Sequence, residues 1–520
     1  MKPRIWIAGA VLLVLGVYLA RLDSVAGQYV DDAVYVMGAK AIASGLGYHM
    51  ISAPTPEMAA ILPAFPPGFS VVLGFVFALV PAFPANVLAL KLVSVAAMLG
   101  VGALSFLYYR DRSLPRSFAL AVAIAVVITP AFVFLAASTV MSEPVFTLAE
   151  LTAIVLIGRR RPMPGGVAAA VAALVRSAGL PILAAGAIWY WTRRDRRSAV
   201  TFLLTAGVLL LPWMIYARVY AAPIELRTAH GGAFVTSYAE QFWMTKAGET
   251  QSGRITPGDL PARIGASLVD IFGRDTGAIV LPVLYRSPIE SGMETMSVGG
   301  RRSDFTQGSM GNTTGTMIVS ALLSLLALAG FAQRWRRGAS GAGVSDWFVP
   351  LALVPIAVFP HWAYRLVLPL TPFLYGYLID GLQAITAAWT RVLRIALPCI
   401  IGLHVADHAL YGLRIDESVW RADARERDGV IRWMQDTLTE PGAVASTNPP
   451  LIFLHTGRRG VVNEDARGRW EAWKKLGVRY VVDLMGSELP DPALGYRVLL
   501  TTPRSRFWVV EIASGSRLSS

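Results

Sequence analysis

The sequence predicts a polytopic α-helical membrane protein that carries a small α/β domain outside the membrane at its C-terminal end. Three observations lead there. Hydrophobic residues make up 54% of the 520 positions, charged residues only 16%, and the mean hydropathy is +0.52. Those are not the figures of a soluble enzyme, and they leave room for many membrane spans. Arginines gather in short clusters between apolar runs, which is the positive-inside pattern, so the formal charge of +13 is not a nucleic-acid footprint. From about Tyr411 the composition turns to that of a soluble domain. The single Cys399 falls in an apolar segment, which excludes a disulfide framework and a cysteine metal site.

Lys2 and Arg4 precede a first span over 5–22. No clear small-residue cleavage site follows, so the run reads as a retained helix rather than a signal peptide. This orientation puts the next stretch, YVDDAVYVMGAKAIASGLGY, outside. There Asp31 and Asp32 head a short helical pattern, with Val34, Met37, Gly38 and Ala41 on one face and Gly45 as its stop. A carboxylate at a helix start meets orphan N–H groups and the positive dipole end, so simple capping is the plainest role for the pair. The apolar run after Gly68 is short and flanked by prolines, and reads as a re-entrant or interfacial helix.

The second span, 87–109, ends on Arg110, Arg112 and Arg116. Spans over 118–136 and 145–158 are joined outside by AASTVMSEP and end on Arg159, Arg160 and Arg161. Segments 167–175 and 180–191 are each too short to span and read as broken helices meeting at Arg176, before the cluster Arg193, Arg194, Arg196 and Arg197. A span over 199–220 leads to a polar outer loop. Spans over 316–331, 347–360 and 366–382 follow, with Arg334, Arg336 and Arg337 at an inner turn and HWAYR at an outer one. Arg391 and Arg394 open the last span, which closes near Leu410.

Every cluster between spans lands on one side, giving about 11 spans with the N-terminus in and the C-terminus out. The membrane part is then 1–410, with outer loops 23–86 and 221–314, and the outer α/β domain is 411–520. Within that domain DARERDGVIRWMQDTL and GRWEAWKKLG are helical patterns, the second ending at Gly477. AVAST and YVVDL read as strands, and RVLLTT with RFWVVEI as a hairpin around Pro503. It has no Gly-rich phosphate loop and no nucleophile elbow, so an accessory or acceptor-docking role suits it.

Ionisable residues near membrane depth cost about 2.5–3.5 kcal/mol each and call for a reason. On the outer side stand Asp31 and Asp32, Glu143 in MSEP, Lys91 at the outer end of the second span, Arg176, and His361, Tyr364 and Arg365 in HWAYRLVLP. Singly, each has a structural role: Glu143 complements a helix start, Lys91 snorkels, Tyr364 and Arg365 anchor at the interface. Together they make a cavity with acids on one wall and bases on another.

Taken in order and sidedness, YVDDAVY, PPGF, MSEP, LVRSAGL and HWAYRLVLPLTPF resemble the GT-C glycosyltransferases. These are multi-spanning enzymes that use polyprenyl-phosphate sugars, among them the protein O-mannosyltransferases and the lipid A aminoarabinose transferases. The resemblance covers most of the membrane part, while the C-terminal domain matches only in position. It implies a GT-C-like fold in the inner (plasma) membrane and a hexosyl- or pentosyltransferase activity on the outer face. The implied partners are a polyprenyl-phosphate-linked sugar donor and a glycan, lipid or protein acceptor. The first acid of the family's Asp–acid pair is its catalytic residue, and that position matches Asp31. The second acid is usually Glu, and Asp32 is shorter by a methylene.

The chemistry also fits without the family. Transfer from a lipid-linked phosphate needs a base for the acceptor proton, which Asp31 supplies. It needs cations on the departing phosphate, for which Arg365, Arg176, Lys91 and His361 are the candidates. A single displacement of this kind inverts the anomeric centre. A divalent metal bridged by Asp31 and Glu143 is the one cofactor option, although no dedicated ligand spacing accompanies it. Two rivals share the charges: a lipid-linked sugar flippase or transporter, and a non-catalytic scaffold for surface-polymer assembly. Against the transporter stand the lack of a repeat between the halves and the clustering of charge at one face.

Overall fold

The computed structural model of the chain describes residues 3–245, 253–285, 313–336, 338–339, 341–360, 363–413 and 419–513. The chain opens with α1, Pro3–Arg21, and α2, Val30–Ala43, which stops before Gly45 at φ 72°. The proline-flanked run forms α3, Gly68–Leu79, a helix of 12 residues. Next come α4, Val87–Asp111, then α5, Arg116–Val127, and α6, Pro130–Ala137.

The straight span expected over 118–136 is in fact α5 and α6, bent by 54°. Pro130 opens α6, and its missing N–H and bulky ring prevent an unbroken ladder. Every residue of α6 is buried, so it is a core element rather than a lipid-facing one.

Helix α7 is Glu143–Gly158. The expected broken pair follows as α8, Pro162–Val175, and α9, Leu180–Thr192. Arg176 is extended between them (φ −148°, ψ 138°), before a 3₁₀ turn at Ser177–Gly179. Helix α10, Arg196–Val219, leads to the polar loop over 221–314. That loop is more structured than its polarity suggests and carries short helices at Ile224–His230, Tyr238–Phe242, Leu260–Asp270 and Thr276–Val280.

The helices that follow are α11, Thr314–Trp335, α12, Val344–Val358, α13, Ala363–Val367, α14, Thr371–Ile385, and α15, Trp389–Leu413. The span expected over 366–382 is therefore split. Arg365 lies on the five-residue α13, set off from α14 by a 3₁₀ turn at Leu368–Leu370. Pro369 and Pro372 sit in the first turns of the two pieces that follow.

Four of the described helices, α4, α10, α11 and α15, are long and apolar enough to cross a membrane, or five spans if α5 and α6 count as one. The chain is a multi-pass membrane protein. Prolines account for two of the departures from the expected spans: Pro130 opens α6, and Pro369 and Pro372 stand in the first turns of the pieces that replace the span over 366–382. Helix α10 exposes Val200, Leu204, Val208, Leu211 and Ile215, a stripe that only lipid or another apolar partner would satisfy.

Helices α11 and α14 cross at two glycines. A Cβ on Gly330 would lie 1.9 Å from the Tyr377 carbonyl oxygen, and one on Gly381 2.0 Å from that of Leu326. Small residues are what allow backbones this close.

After residue 419 the chain forms an α/β layer. It contains α16, Val419–Thr437, β1, Ala443–Ser446, α17, Pro449–Thr456, β2, Gly460–Val462, α18, Ala466–Lys475, β3, Val478–Asp483, β4, Tyr496–Thr501, and β5, Trp508–Ile512. The sheet order is β2-β1-β3-β5-β4. Strand β1 pairs in parallel with β2 and β3, while β5 pairs antiparallel with β3 and β4. Trp470 and Trp473 bury one face of α18. The sequence reading missed α17 and β2, two short elements between Asn448 and Val462.

This layer sits directly on the segment between α1 and α4. Gly460 donates its N–H to the Ser52 carbonyl at 2.7 Å, and the Phe83 and His455 rings are 4.8 Å apart. The Lys40 ammonium stands 5.1 Å from the Phe453 ring centre.

Candidate active site

Four pieces of backbone converge on one charged centre: the first turn of α2, the start of α7, the α8–α9 break, and α13. Arg365 is the hub. Its Nη1 donates to Asp31 Oδ2 at 2.9 Å, and its Nε donates to Glu143 Oε1. Arg176 Nη1 meets the same Glu143 oxygen at 2.8 Å and donates to Ser142 Oγ at 2.9 Å. Ser142 in turn donates to the Tyr35 hydroxyl at 3.0 Å. The Tyr29 ring lies 5.8 Å below the Arg365 guanidinium, near enough for a cation–π contact.

Local structure explains each placement. Glu143 begins α7 with Pro144 next to it, so its carboxylate lies at the positive end of that helix. Arg176 faces the centre because the chain is extended there. A continued helix would carry its side chain around with the helical turn. Glu143 is wholly buried, held by two guanidinium groups, while the Asp31 side chain is 30% exposed. A buried carboxylate of this kind needs such partners. Asp31 is thus the acid that still opens outward.

The two acids of the pair part company, as the 100° step between helix neighbours requires. Asp32 is fully buried and turned toward Gly27, with the Arg427 charge of α16 near it. Its Oδ2 accepts the Gly27 N–H at 2.8 Å. Burial pushes its carboxyl up to about 7, against the Gly27 hydrogen bond and the nearby Arg427 and Lys91 charges, which pull it down. Neither acid is a helix cap in the simple sense: Tyr29 holds the N-cap position and no side chain caps α2.

Lys91 is likewise placed elsewhere. It is completely buried, with Nζ 2.6 Å from Asp23 Oδ1 and 2.8 Å from the Asp23 carbonyl. It holds the loop between α1 and α2 rather than the Asp31–Glu143 centre. Tyr364 is buried on α13 beside Arg365, with the Arg274 charge near it. His361 lies outside the described residues.

Residues that sequence reasoning did not single out are Ser142, Tyr35 and Tyr238. The first two lie within MSEP and YVDDAVY, so the motifs contained them, but hydroxyls in apolar surroundings carry no signal of their own. Tyr238, on the short helix Tyr238–Phe242 after α10, faces the Arg176, Asp31 and Arg365 charges.

The donors do not suit a bridging metal. Asp31 and Glu143 each give an oxygen to Arg365, so a guanidinium stands between the two carboxylates that a cation would have to bridge. Among the described residues no group of three or more His, Cys, Asp and Glu side chains could hold a metal ion. What the arrangement can do is bind an anion at Arg365 and Arg176 and hold a carboxylate beside it at a partly open mouth.

The sequence model of Glycosyltransferase family 87 matches residues 64–260. No curated protein sequence matches the chain. Among solved structures it is similar to ArnT from Cupriavidus metallidurans bound to undecaprenyl phosphate, at a TM-score of 0.51 and 15% identity over 99% of both chains. The apo state of that protein matches equally, with a TM-score of 0.51 and 14% identity over 99% of both chains. The Archaeoglobus fulgidus oligosaccharyltransferase in complex with Zn and sulfate matches at a TM-score of 0.53 and 12% identity, over 95% of this chain and 72% of that one.

Proposed function

We propose that this membrane protein, a glycosyltransferase of the GT-C superfamily, moves a sugar from a polyprenyl-phosphate donor to an acceptor on the outer face of the membrane. The observation that carries the reading is the bridge Asp31–Arg365–Glu143 at a partly exposed mouth. The similarity to ArnT, solved with undecaprenyl phosphate, supports a donor of that kind.

In this reading the donor phosphate and Asp31 compete for Arg365. Glu143 and Ser142 hold Arg176, and Glu143 also holds Arg365 by Nε, so the phosphate meets the two Nη groups, of which Nη1 donates to Asp31 and Nη2 to Met141 Sδ at 3.9 Å. The phosphate displaces Asp31 from Nη1 and takes the guanidinium fork, whose planar geometry suits two parallel N–H···O bonds. Asp31 is released beside the anomeric carbon and accepts the proton of the acceptor hydroxyl or amine. The acceptor oxygen or nitrogen bonds to the anomeric carbon as the bond to phosphate oxygen breaks. The charge that grows on the phosphate is stabilised by Arg365 and Arg176. One displacement inverts the anomeric centre. The inner (plasma) membrane, with the C-terminal layer outside, is the matching location.

The test is Asp31→Asn in the full-length protein, assayed with a panel of radiolabelled polyprenyl-phosphate sugars and membrane extract. The amide keeps the size and a hydrogen bond but takes no proton. Turnover should fall by about 10²–10⁴, with undecaprenyl phosphate still bound. Full turnover by this variant would remove Asp31 as base. Sugar-lipid flux into vesicles without transfer would favour the transporter instead.

A further inference from the structure

The C-terminal layer does more than cover the segment between α1 and α4: it holds the few residues that lead into Asp31. Asn448 is the main point of contact. It precedes α17, where its Oδ1 accepts the Leu451 N–H at 3.2 Å. Its amide Nδ2 is directed the other way, to the Gly27 carbonyl at 2.7 Å. Gly27 then donates its own N–H to Asp32 Oδ2 at 2.8 Å.

The surroundings leave this loop little freedom. Gly27 has φ 79°, and a Cβ there would lie 2.3 Å from Leu451 Cδ1. Gln28 is buried and donates through Nε2 to the Trp420 carbonyl at 2.8 Å. The Trp420 ring lies 5.7 Å from that of Tyr29 and 4.9 Å from that of Phe134 on α6. Ala33 packs among Ile431, Leu451, Ile452 and Tyr480 of the layer.

We infer that Asn448 is a positioning residue for the transfer reaction: through Gly27 and Asp32 it sets the orientation in which Asp31 faces Arg365. The inference rests on Asp31 being the base. It also gives the buried acid of the pair its place. Asp32 takes no part in the chemistry and is the relay between the α/β layer and the base, which is why it is turned toward Gly27 while Asp31 faces Arg365. A base displaced by about 1 Å can cost 10²-fold in rate without any lost contact to the donor.

Asn448→Ser separates this from a structural role. Serine keeps a good N-cap for α17 but has no donor that reaches the Gly27 carbonyl. Asn448→Asp does the same at unchanged size, and serves equally should the Ser variant not accumulate. The measurements, on full-length protein in nanodiscs, are kcat, the Kd for undecaprenyl phosphate and Tm. A positioning role lowers kcat by about 10- to 100-fold, with Kd within twofold and Tm little changed. Parental kcat overturns the inference, and so does a loss of kcat that only tracks a lower Tm and weaker lipid binding. Asp31→Asn run alongside tells the two failures apart. If it is inactive while Asn448→Ser is fully active, only the positioning role falls; if it is active, the assignment of the base falls with it.

Discussion

Arg365 bridges two carboxylates, Asp31 and Glu143, and that defines what its substitution should do. Arg365→Lys keeps the charge but loses the fork, so it can serve Glu143 or the phosphate, not both. It should retain partial activity with a raised donor KM. Arg365→Ala should lower turnover further and also destabilise the protein, because breaking a buried pair typically costs about 3–5 kcal/mol. Donor KM and kcat on equal amounts of folded protein check this. Unchanged values for Arg365→Ala would return the residue to the role of a membrane-interface anchor, a role its burial against Glu143 already argues against.

Asp32 carries the residue-scale pH dependence. Its folded value of about 7 lies above the ordinary carboxylate value because burial disfavours the charge. The folded state therefore binds the proton more tightly than the unfolded chain between about 3.9 and 7. By linkage this group's contribution to stability is greatest in acid and is lost as pH rises through that window. Asp32→Asn keeps an acceptor for the Gly27 N–H and removes the titration. Its Tm should gain on the parent's as pH is raised from 5 to 8, and a pH-independent difference would contradict the assignment. Activity should suffer less than in Asp31→Asn, since Asp32 faces away from Arg365.

Among the helices, two breaks shape the site and one close crossing joins α11 to α14. The extended Arg176 between α8 and α9 and the isolated α13 turn two arginines toward Glu143, which uninterrupted helices would not do. Gly330 and Gly381 let α11 and α14 meet. Next to Gly381, Asp380 binds Arg112 of α4 and lies 3.4 Å from Arg334 of α11. Gly381→Val should force these helices apart and cost about 1–3 kcal/mol, as overpacking does. Gly402, with no atom near its would-be Cβ, should accept Ala with little change. Thermal melts of the detergent-solubilised variants compare the two, and equal melting of Gly381→Val and the parent would refute the close crossing.

For the whole molecule the open quantity is sidedness. The Arg clusters ending at Arg161 and Arg197 stand on the side opposite Asp31 if the positive-inside rule holds. Reporters fused after Arg161 or Arg197 should read cytoplasmic, and one fused after Ser520 should read outside. A cytoplasmic C-terminus would place the α/β layer, and Asp31 beneath it, on the inner face and overturn the outward-facing active site. The direct contacts of that layer with Gly27, Gln28 and Ser52 mean that the layer and the first loop must share one side.

What the sequence determined by itself follows from composition and local periodicity. Apolar runs and Arg clusters marked a multi-pass protein, Gly45 stopped α2, and Arg176 marked a helix break. Alternation and turn residues marked β1, β3 and the β4–β5 hairpin. Each of these is set by residues close in the chain. Span length was less legible, because one proline decides whether an apolar run is a single helix or a bent pair, as at Pro130. Only the tertiary structure decided which charges meet. Asp31 and Arg365 are 334 positions apart, and Asn448 is 421 from Gly27. Glu143 joined Arg365, while Lys91 went to Asp23 and Asp32 to Gly27. Glu143, Lys91 and Asp32 each carry a charge that either centre could use. Pairing between distant charges depends on which backbone segments packing brings within about 3–4 Å, because a buried charge one helical turn away from its partner has no water to satisfy it.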